Sequence, residues 1–197
     1  LTGTNVTVID GLMDPVLEDA LVQAVAWIPL HFINRSGQFD AHALDMHWLY
    51  PLVGSDDIFN DDAEAKLNEL DAPLQPIVRC WELIKHRHAH PVRLYECVLS
   101  ANAFGTEGRL HRDINHPKAG DRERHHTALV YCSKSWDPDW GGETLVFNDD
   151  RSEITAAVMP KRGRVLHIAG DPPHVGRSVS RICPSDRRVL VLKYWAI

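Results

Sequence analysis

Residues 128–147 read ALVYCSKSWDPDWGGETLVF, two short apolar and β-branched runs on either side of a loop rich in Asp, Pro and Gly. Runs of this kind, bounded by turn-forming residues, are typical of β-strands. The same texture recurs throughout the chain after Pro91, in the segments VRLYECVLSA, HHTALVYC, GETLVF, ITAAVMP, GRVLHIAG, HVGRSVS and RRVLVLKYW. Short strands in close succession predict a sandwich or barrel-like β domain.

The part of the chain before Pro91 has a helical pattern. Asp14 and Pro15 offer an N-cap and a first-turn proline, and the apolar residues after them recur at helical spacing. Residues 74–87 carry one apolar stripe that predicts a second, stronger helix, and residues 61–70 suit a solvated helix. Helices followed by strands predict an α+β fold that is mainly β, with the helices packed on one face of a sheet.

Residues 31–55 are mixed and turn-rich, and are long for a plain connection. Long segments in compact domains are often lids or binding loops, so we expect a lid here. Its polar and aromatic candidates are His42, His47, Trp48 and Tyr50. We therefore predict a single domain, residues 1–197, in which 1–90 form helical support and lid and 91–197 form the core.

Composition limits the possible functions. A length of 197 residues with 44% apolar content suits one sizeable core. A net charge of −6 with scattered basic residues disfavours a nucleic-acid partner. No apolar run is long enough to span a membrane, and no signal peptide is visible at the start. Four cysteines without CxxC spacing indicate reduced thiols, so we expect a cytoplasmic protein. We also expect a monomer or homodimer.

The tripeptide His111-Arg112-Asp113 fits two kinds of chemistry. A protein kinase catalytic loop begins His-Arg-Asp and places a metal-binding Asn five residues after the Asp. Here Lys118 stands at that position, and neither a Gly-rich loop nor Asp-Phe-Gly is present. Because phosphoryl transfer needs those parts to hold phosphate and Mg²⁺, the kinase interpretation fails.

A metal site is the second interpretation. Residues two apart on a strand share a face, so the His111 imidazole and the Asp113 carboxylate can reach one ion. His174, at the start of a strand-like run after GDPP, offers a third ligand. Two histidines and one carboxylate form the facial triad of non-haem Fe(II) oxygenases, although the same donors also suit Mn²⁺ or Zn²⁺.

The C-terminal half resembles the iron- and 2-oxoglutarate-dependent dioxygenases, in particular the prolyl 4-hydroxylase-like branch. The resemblance covers residues 91–197 and rests on ordered pieces that match the family's motifs. These pieces are HRD, ALVYCSKSWDPDWGGETLVF, MPKRGRVLHIAGDPPHV and RRVLVLKYW. The resemblance implies a double-stranded β-helix, or jelly-roll, as the core. It also implies Fe(II) as the metal, 2-oxoglutarate as cosubstrate and O₂ as oxidant.

The resemblance also implies roles for individual residues. His111, Asp113 and His174 would be the iron ligands. A basic residue on the last strand would pair with the far carboxylate of 2-oxoglutarate, since a guanidinium fork suits a carboxylate. Arg187 and Arg188 compete for this role, and alignment with Tyr194 favours Arg188.

Three further residues are candidate cosubstrate contacts. Tyr131 stands where many family members have a cosubstrate-binding tyrosine, and Thr127 shares its face of the strand. Arg177 follows the distal histidine closely enough to reach the cosubstrate or the substrate. Tyr131 could equally be an ordinary half-buried aromatic, and Arg177 an ordinary solvated arginine.

The remaining histidines have a simpler interpretation. His86, His88 and His90 alternate and could bind a metal, but a solvated helix end before Pro91 is favoured. One of His125 and His126 should face inward, and His167 is interpreted as a packing residue.

The activity that the resemblance implies is hydroxylation of an unactivated C–H bond, coupled to decarboxylation of 2-oxoglutarate to succinate and CO₂. The substrate would be a small molecule or an amino-acid or prolyl group. Two alternatives stay open: a cupin-like metal-dependent isomerase or hydrolase, and a non-catalytic jelly-roll module.

Overall fold

The computed structural model describes residues 5–34, 46–54, 62–106, 108–114 and 120–197. The helices are α1 (Pro15–Ala26), α2 (Ala63–Asn68), α3 (Gln75–Lys85) and α4 (Asp121–Arg124). The strands are β1 (Val6–Ile9), β2 (His31–Asn34), β3 (Met46–Gly54), β4 (Val92–Asn102), β5 (His125–Tyr131), β6 (Thr144–Phe147), β7 (Ile154–Val158), β8 (Val165–Ala169), β9 (His174–Gly176) and β10 (Arg187–Ala196).

The strands form two antiparallel sheets. The major sheet has the order β1-β8-β5-β10-β4-β3-β2, and the minor sheet has the order β7-β6-β9. Leu129, Leu166 and Val189 of the major sheet pack with Val146 and Val158 of the minor sheet in one buried cluster. Two antiparallel sheets packed face to face in this way confirm the predicted double-stranded β-helix.

The alternation of side chains along β10 separates the two layers of the core. Leu190, Leu192 and Tyr194 lie in the cluster shared with the helices, and Val189 lies in the cluster between the sheets. Tyr194 meets Trp81 of α3 edge-on, with ring centroids 5.2 Å apart. The helices therefore cover the face of the major sheet that points away from the minor sheet.

Both predicted principal helices are confirmed. α1 begins after Asp14, whose carboxylate accepts a hydrogen bond from the Leu17 backbone N–H at 2.8 Å. α3 turns Ile77, Trp81 and Ile84 toward the core, as its apolar stripe predicts.

The expectation of a lid over residues 31–55 is wrong for the part that the structure describes. β2 and β3 pair with each other, and β3 pairs with β4, so both extend the major sheet. Period-two burial explains this, because Leu49 and Val53 are buried whereas Trp48 is exposed. Pro51 is tolerated because β2 pairs only with residues 46–49, which leaves that edge of β3 open. His42 lies outside the described residues.

Cys80, Cys97 and Cys132 are buried free thiols, and Cys183 is half-buried. The cytoplasmic location, the oligomeric state and the division into support and core stay predictions. Residues before 91 contribute three strands as well as helices.

Among the described residues, no helix is both long enough and apolar enough to cross a membrane.

We predict that Leu190→Ala lowers the free energy of unfolding by about 2–5 kcal/mol, because it empties a fully buried position between the helices and the major sheet. Ile154→Ala is the matched control, since that side chain is 53% exposed, and it should change stability by about 0.5 kcal/mol or less. Urea denaturation followed by circular dichroism measures both. Equal effects from the two variants would contradict the assigned core.

Candidate active site

His111 and His174 face each other across an antiparallel bridge. The His111 N–H donates to the His174 carbonyl at 3.1 Å, and the His174 N–H donates back to the His111 carbonyl at 2.9 Å. The two imidazole centroids lie 4.7 Å apart. β9 thus brings to one place two histidines that are far apart in the sequence.

A second hydrogen bond orients each of these rings. The His111 Nδ1 lies 2.8 Å from the Arg109 carbonyl, and the His174 Nδ1 lies 3.0 Å from the Pro172 carbonyl. Because a carbonyl can only accept, each Nδ1 carries the proton and each Nε2 is left with a free lone pair. Both Nε2 atoms are therefore available to bind a metal ion.

The Asp113 carboxylate completes the group. Its oxygens lie 3.9 Å from the His111 Nε2 and 3.7 Å from the His174 Nε2. The Thr127 hydroxyl donates to one oxygen at 2.6 Å, and the Lys193 ammonium lies 3.1 Å from the other. The carboxylate is consequently held from two sides.

Asp171 fixes the backbone on which Asp113 stands. Its carboxylate accepts from the Asp113 N–H at 2.7 Å and from the Ile114 N–H at 3.4 Å. The Arg122 Nε lies 3.3 Å from the Oδ2 atom of Asp171. The loop that carries the first two ligand candidates is thereby tied to the segment that leads into His174.

The electrostatics of the group favour metal-binding protonation states. Burial lowers the pKa of His111 to about 4, so its imidazole is neutral at neutral pH. Burial alone would raise the pKa of Asp113, but Lys193 and the neighbouring histidines hold it well below its usual value. Two imidazoles and one carboxylate are the donor set of a non-haem iron centre.

Among the described residues, two groups bring three ligand atoms within 4.8 Å of one another: His111 with Asp113 and His174, and Asp113 with His125 and Asp171. The second group is the poorer site, because the Asp171 oxygens already accept backbone N–H groups and the Tyr95 hydroxyl occupies the His125 Nε2 at 2.7 Å. The first group fits Fe(II) through its two free Nε2 atoms.

A buried arginine lies at the other end of the space between the sheets. Arg187 is 3% exposed, and its Nη atoms donate to the Asn102 side-chain oxygen at 3.2 Å and to the Thr144 hydroxyl at 2.7 Å. The Tyr131 hydroxyl lies 2.7 Å from the same Thr144 oxygen. A Cβ at Gly176 would approach the Arg187 Nη1 to 3.1 Å, so glycine leaves the guanidinium its room.

No carboxylate of the described residues forms an ion pair with this guanidinium, and its Nε has no hydrogen-bond partner there. Burial lowers the pKa of Arg187, as desolvation of a cation must. The side chains that accept its hydrogen bonds are neutral, and Glu143 acts on it only from beyond ion-pair distance, so the site suits an anionic ligand. The far carboxylate of 2-oxoglutarate would fit this position.

The expectation that Arg188 faces inward is wrong. Its Nε donates to the Asp186 carboxylate at 3.0 Å and its Nη1 donates to the Val25 carbonyl at 2.8 Å, on the helix side of the sheet. Arg188 does align with Tyr194, but Tyr194 itself faces the helices. Arg187 occupies the position that was expected of Arg188.

The other candidates fall into different places. Tyr131 and Thr127 both face the space between the sheets. The Arg187 guanidinium lies over the Tyr131 ring, and the Thr127 hydroxyl donates to the Asp113 carboxylate. Arg177 is exposed beyond β9, and its contact with a cosubstrate stays a prediction. Of the histidine pair that opens β5, His125 faces inward, as one of the two was expected to do.

Several residues at this site escaped the sequence analysis: Glu96, Asn102, Thr144, Asp171 and Lys193. Lys193 shares the parity of Arg187 along β10, and its ammonium also pairs with Glu96 at 2.8 Å. A single Lys among the apolar residues 189–195 was the signal available in the sequence. Asp171 could have been noticed through its position three residues before His174.

Comparison with known proteins agrees with this geometry. The family model described as the 2OG-Fe(II) oxygenase superfamily matches residues 98–196, half of the chain. The chain belongs to this superfamily. It is therefore an Fe(II)- and 2-oxoglutarate-dependent dioxygenase, and its family uses Fe(II), 2-oxoglutarate and O₂. No curated protein sequence matches it significantly.

Solved structures of this superfamily share the fold. A prolyl-4-hydroxylase from Pseudomonas putida has 17% identity and a TM-score of 0.63, over 100% of this chain and 95% of that one. A prolyl hydroxylase from Trichoplax adhaerens, in complex with a hypoxia inducible factor peptide fragment, has 15% identity and a TM-score of 0.62, over 100% and 86%. A non-haem α-ketoglutarate-dependent epimerase of nogalamycin biosynthesis has 13% identity and a TM-score of 0.62, over 98% and 78%.

We predict that Thr127→Val weakens binding of a divalent metal by about ten- to a hundred-fold, because it removes the hydrogen bond that orients Asp113. Thr155→Val is the matched control, since the Thr155 hydroxyl donates to the Val146 carbonyl on the edge strand of the minor sheet. Anaerobic calorimetry with Fe(II) measures both. Equal affinities for the two variants would exclude an orienting role for Thr127.

Proposed function

We propose that this dioxygenase hydroxylates an unactivated C–H bond of a small molecule or of an amino-acid or prolyl substrate, with conversion of 2-oxoglutarate to succinate and CO₂. The observation that carries the proposal is the convergence of three ligand candidates in the space between the sheets, which also holds a buried arginine without an ion-paired carboxylate among the described residues. In this proposal His111, Asp113 and His174 bind the iron, and Arg187 binds the far carboxylate of 2-oxoglutarate.

Each part of the chain has a definite task in holding the metal. The Arg109 and Pro172 carbonyls keep the Nδ1 protons of the two histidines in place, which presents the Nε2 lone pairs to the metal. Thr127 and Lys193 hold the Asp113 carboxylate and limit its rotation. An ion held by this triad would keep positions open for cosubstrate and oxidant.

The proposed cosubstrate anchor combines charge with neutral hydrogen-bond donors. Arg187 offers a planar guanidinium that matches a carboxylate. The Tyr131 hydroxyl is within hydrogen-bond distance of the Thr144 hydroxyl to which Arg187 donates. Bound iron, 2-oxoglutarate and O₂ together supply the oxidising power that inserts oxygen into a C–H bond. Apolar residues between the sheets, Leu129, Val146 and Val189 among them, exclude water and strengthen these electrostatic contacts.

The relatives argue for more than one substrate class. The Trichoplax adhaerens structure contains a peptide fragment, whereas the nogalamycin relative is named as an epimerase. We therefore propose a screen of free amino acids, proline-containing peptides and small natural-product scaffolds, read by succinate release.

Anaerobic addition of Fe(II) and then 2-oxoglutarate tests the proposed site directly. We expect a weak visible absorption band from the iron chelate in the wild-type protein, and its loss in Asp113→Ala. Folded protein that gives no band at saturating cosubstrate would contradict the proposal. Turnover of a substrate without succinate would instead favour a cupin-like isomerase or hydrolase.

Arg187 and Arg188 provide a matched pair of neighbouring residues on one strand. We predict that Arg187→Lys raises the dissociation constant for 2-oxoglutarate at least about ten-fold, because a lysine keeps the charge but loses the fork. Arg188→Lys should leave that constant nearly unchanged, since Arg188 contacts Asp186 and Val25 instead. Titration of the anaerobic chelate band measures both constants. A larger effect from Arg188→Lys would instead favour Arg188 as the residue that binds the far carboxylate of 2-oxoglutarate.

A further inference from the structure

A cluster of three histidines lies on the helix side of the major sheet, on the opposite face from the candidate iron site. His88 lies in the turn after α3, His126 lies on β5 and His167 lies on β8. The His126 Nδ1 is 3.1 Å from the His167 Nε2. His125 and Thr127, on either side of His126 in the sequence, face the space between the sheets, so the sheet separates this cluster from the iron ligands.

We propose that His88, His126 and His167 bind a second transition-metal ion, with Zn²⁺ as the preferred ion. This site is independent of the iron site and of the oxygenase reaction.

The ring centroids of the cluster are spaced as they would be around one ion, although the three histidines do not yet bring one nitrogen each to within 4.8 Å of one another. Their centroids form a nearly equilateral triangle, with sides of 5.1 Å between His126 and His167 and 5.4 Å from His88 to each of them. Three imidazoles on a tetrahedral zinc ion, with Zn–N bonds near 2.0–2.1 Å, place their ring centres roughly 5 Å apart. The iron-ligand candidates His111 and His174 have a comparable centroid distance of 4.7 Å.

One ring has to adjust before an ion can bind. The His88 Nε2 points to the Tyr194 hydroxyl at 3.0 Å, so the ring must turn to bring a nitrogen to the other two histidines. Turning the ring moves Nε2 away from the Tyr194 hydroxyl, so this hydrogen bond is given up when an ion binds.

The cluster is prepared for a metal in two further ways. Burial lowers the pKa of His126 and of His167 to about 4, and it also lowers the pKa of His88, so no proton has to leave at neutral pH. All three side chains keep partial exposure, which gives an ion a way in. Imidazole ligands without a carboxylate suit Zn²⁺, Cu²⁺ and Ni²⁺ better than Mg²⁺ or Ca²⁺.

The consequence of binding is structural. His88 belongs to the segment that leaves the helical layer, whereas His126 and His167 belong to neighbouring strands of the major sheet. An ion held by all three would tie the helical layer to the sheet. Zn²⁺ should therefore raise the thermal stability of the protein according to its affinity.

A zinc titration of untagged, metal-free full-length protein tests this inference. We expect two equivalents of Zn²⁺ for the wild-type protein, one for His88→Ala, one for His111→Ala and none for the double variant. His86→Ala is the matched control, because His86 lies in the same turn but its side chain is 77% exposed and outside the cluster. It should keep two equivalents.

Thermal melting of His111→Ala gives a second readout, since the candidate iron site lacks one of its three ligands in that background. Zn²⁺ should raise its melting temperature, and adding His88→Ala or His167→Phe should abolish the rise. Two equivalents in His88→Ala, or a single equivalent in the wild type that disappears with His111→Ala, would overturn the proposal. Failure of the iron-chelate band would contradict the proposed function and leave this result unaffected.

Discussion

The two backbone hydrogen bonds between His111 and His174 are the constraint on which the candidate site depends. They join the segment before α4 to β9, at distances of 3.1 and 2.9 Å, and so set the separation of the two imidazoles. A displacement of this pairing by one residue would turn one histidine to the opposite face. Every further contact, from the ring orientation to the position of Asp113, builds on this register.

The buried charges around the site are paired, except that Arg187 has no ion-pair partner among the described residues. Lys193 lies between Glu96 and Asp113, at 2.8 and 3.1 Å, so the carboxylate ligand has a cation beside it before any metal arrives. Arg187 has no carboxylate within ion-pair distance among the described residues. The imbalance is what an enzyme would need if a dianionic cosubstrate completes the site.

Sequence reasoning succeeded where one local rule decided the outcome. The spacing of His111 and Asp113, the N-cap at Asp14 and the apolar stripe of α3 each follow from a short stretch of chain. The choice between Arg187 and Arg188 failed for a nonlocal reason. Arg188 shares its face with Tyr194, but that face belongs to the helices because Tyr194 packs on Trp81. The prediction that Arg188 and Tyr194 share a face of β10 was right, but the prediction that this face points between the sheets was wrong.

A similar limit applies to residues whose partners come from distant strands. The sequence can mark Lys193 and Asp171 as unusual, but nothing near either residue indicates that both would meet the loop of Asp113.

The most direct test of the account is a crystal structure with Mn²⁺ and 2-oxoglutarate, from data that record the anomalous scattering of manganese. The account predicts one strong peak bound by His111, Asp113 and His174, with the far carboxylate of 2-oxoglutarate on Arg187. A peak bound by His125 and Asp171, or a carboxylate on Arg188, would contradict it.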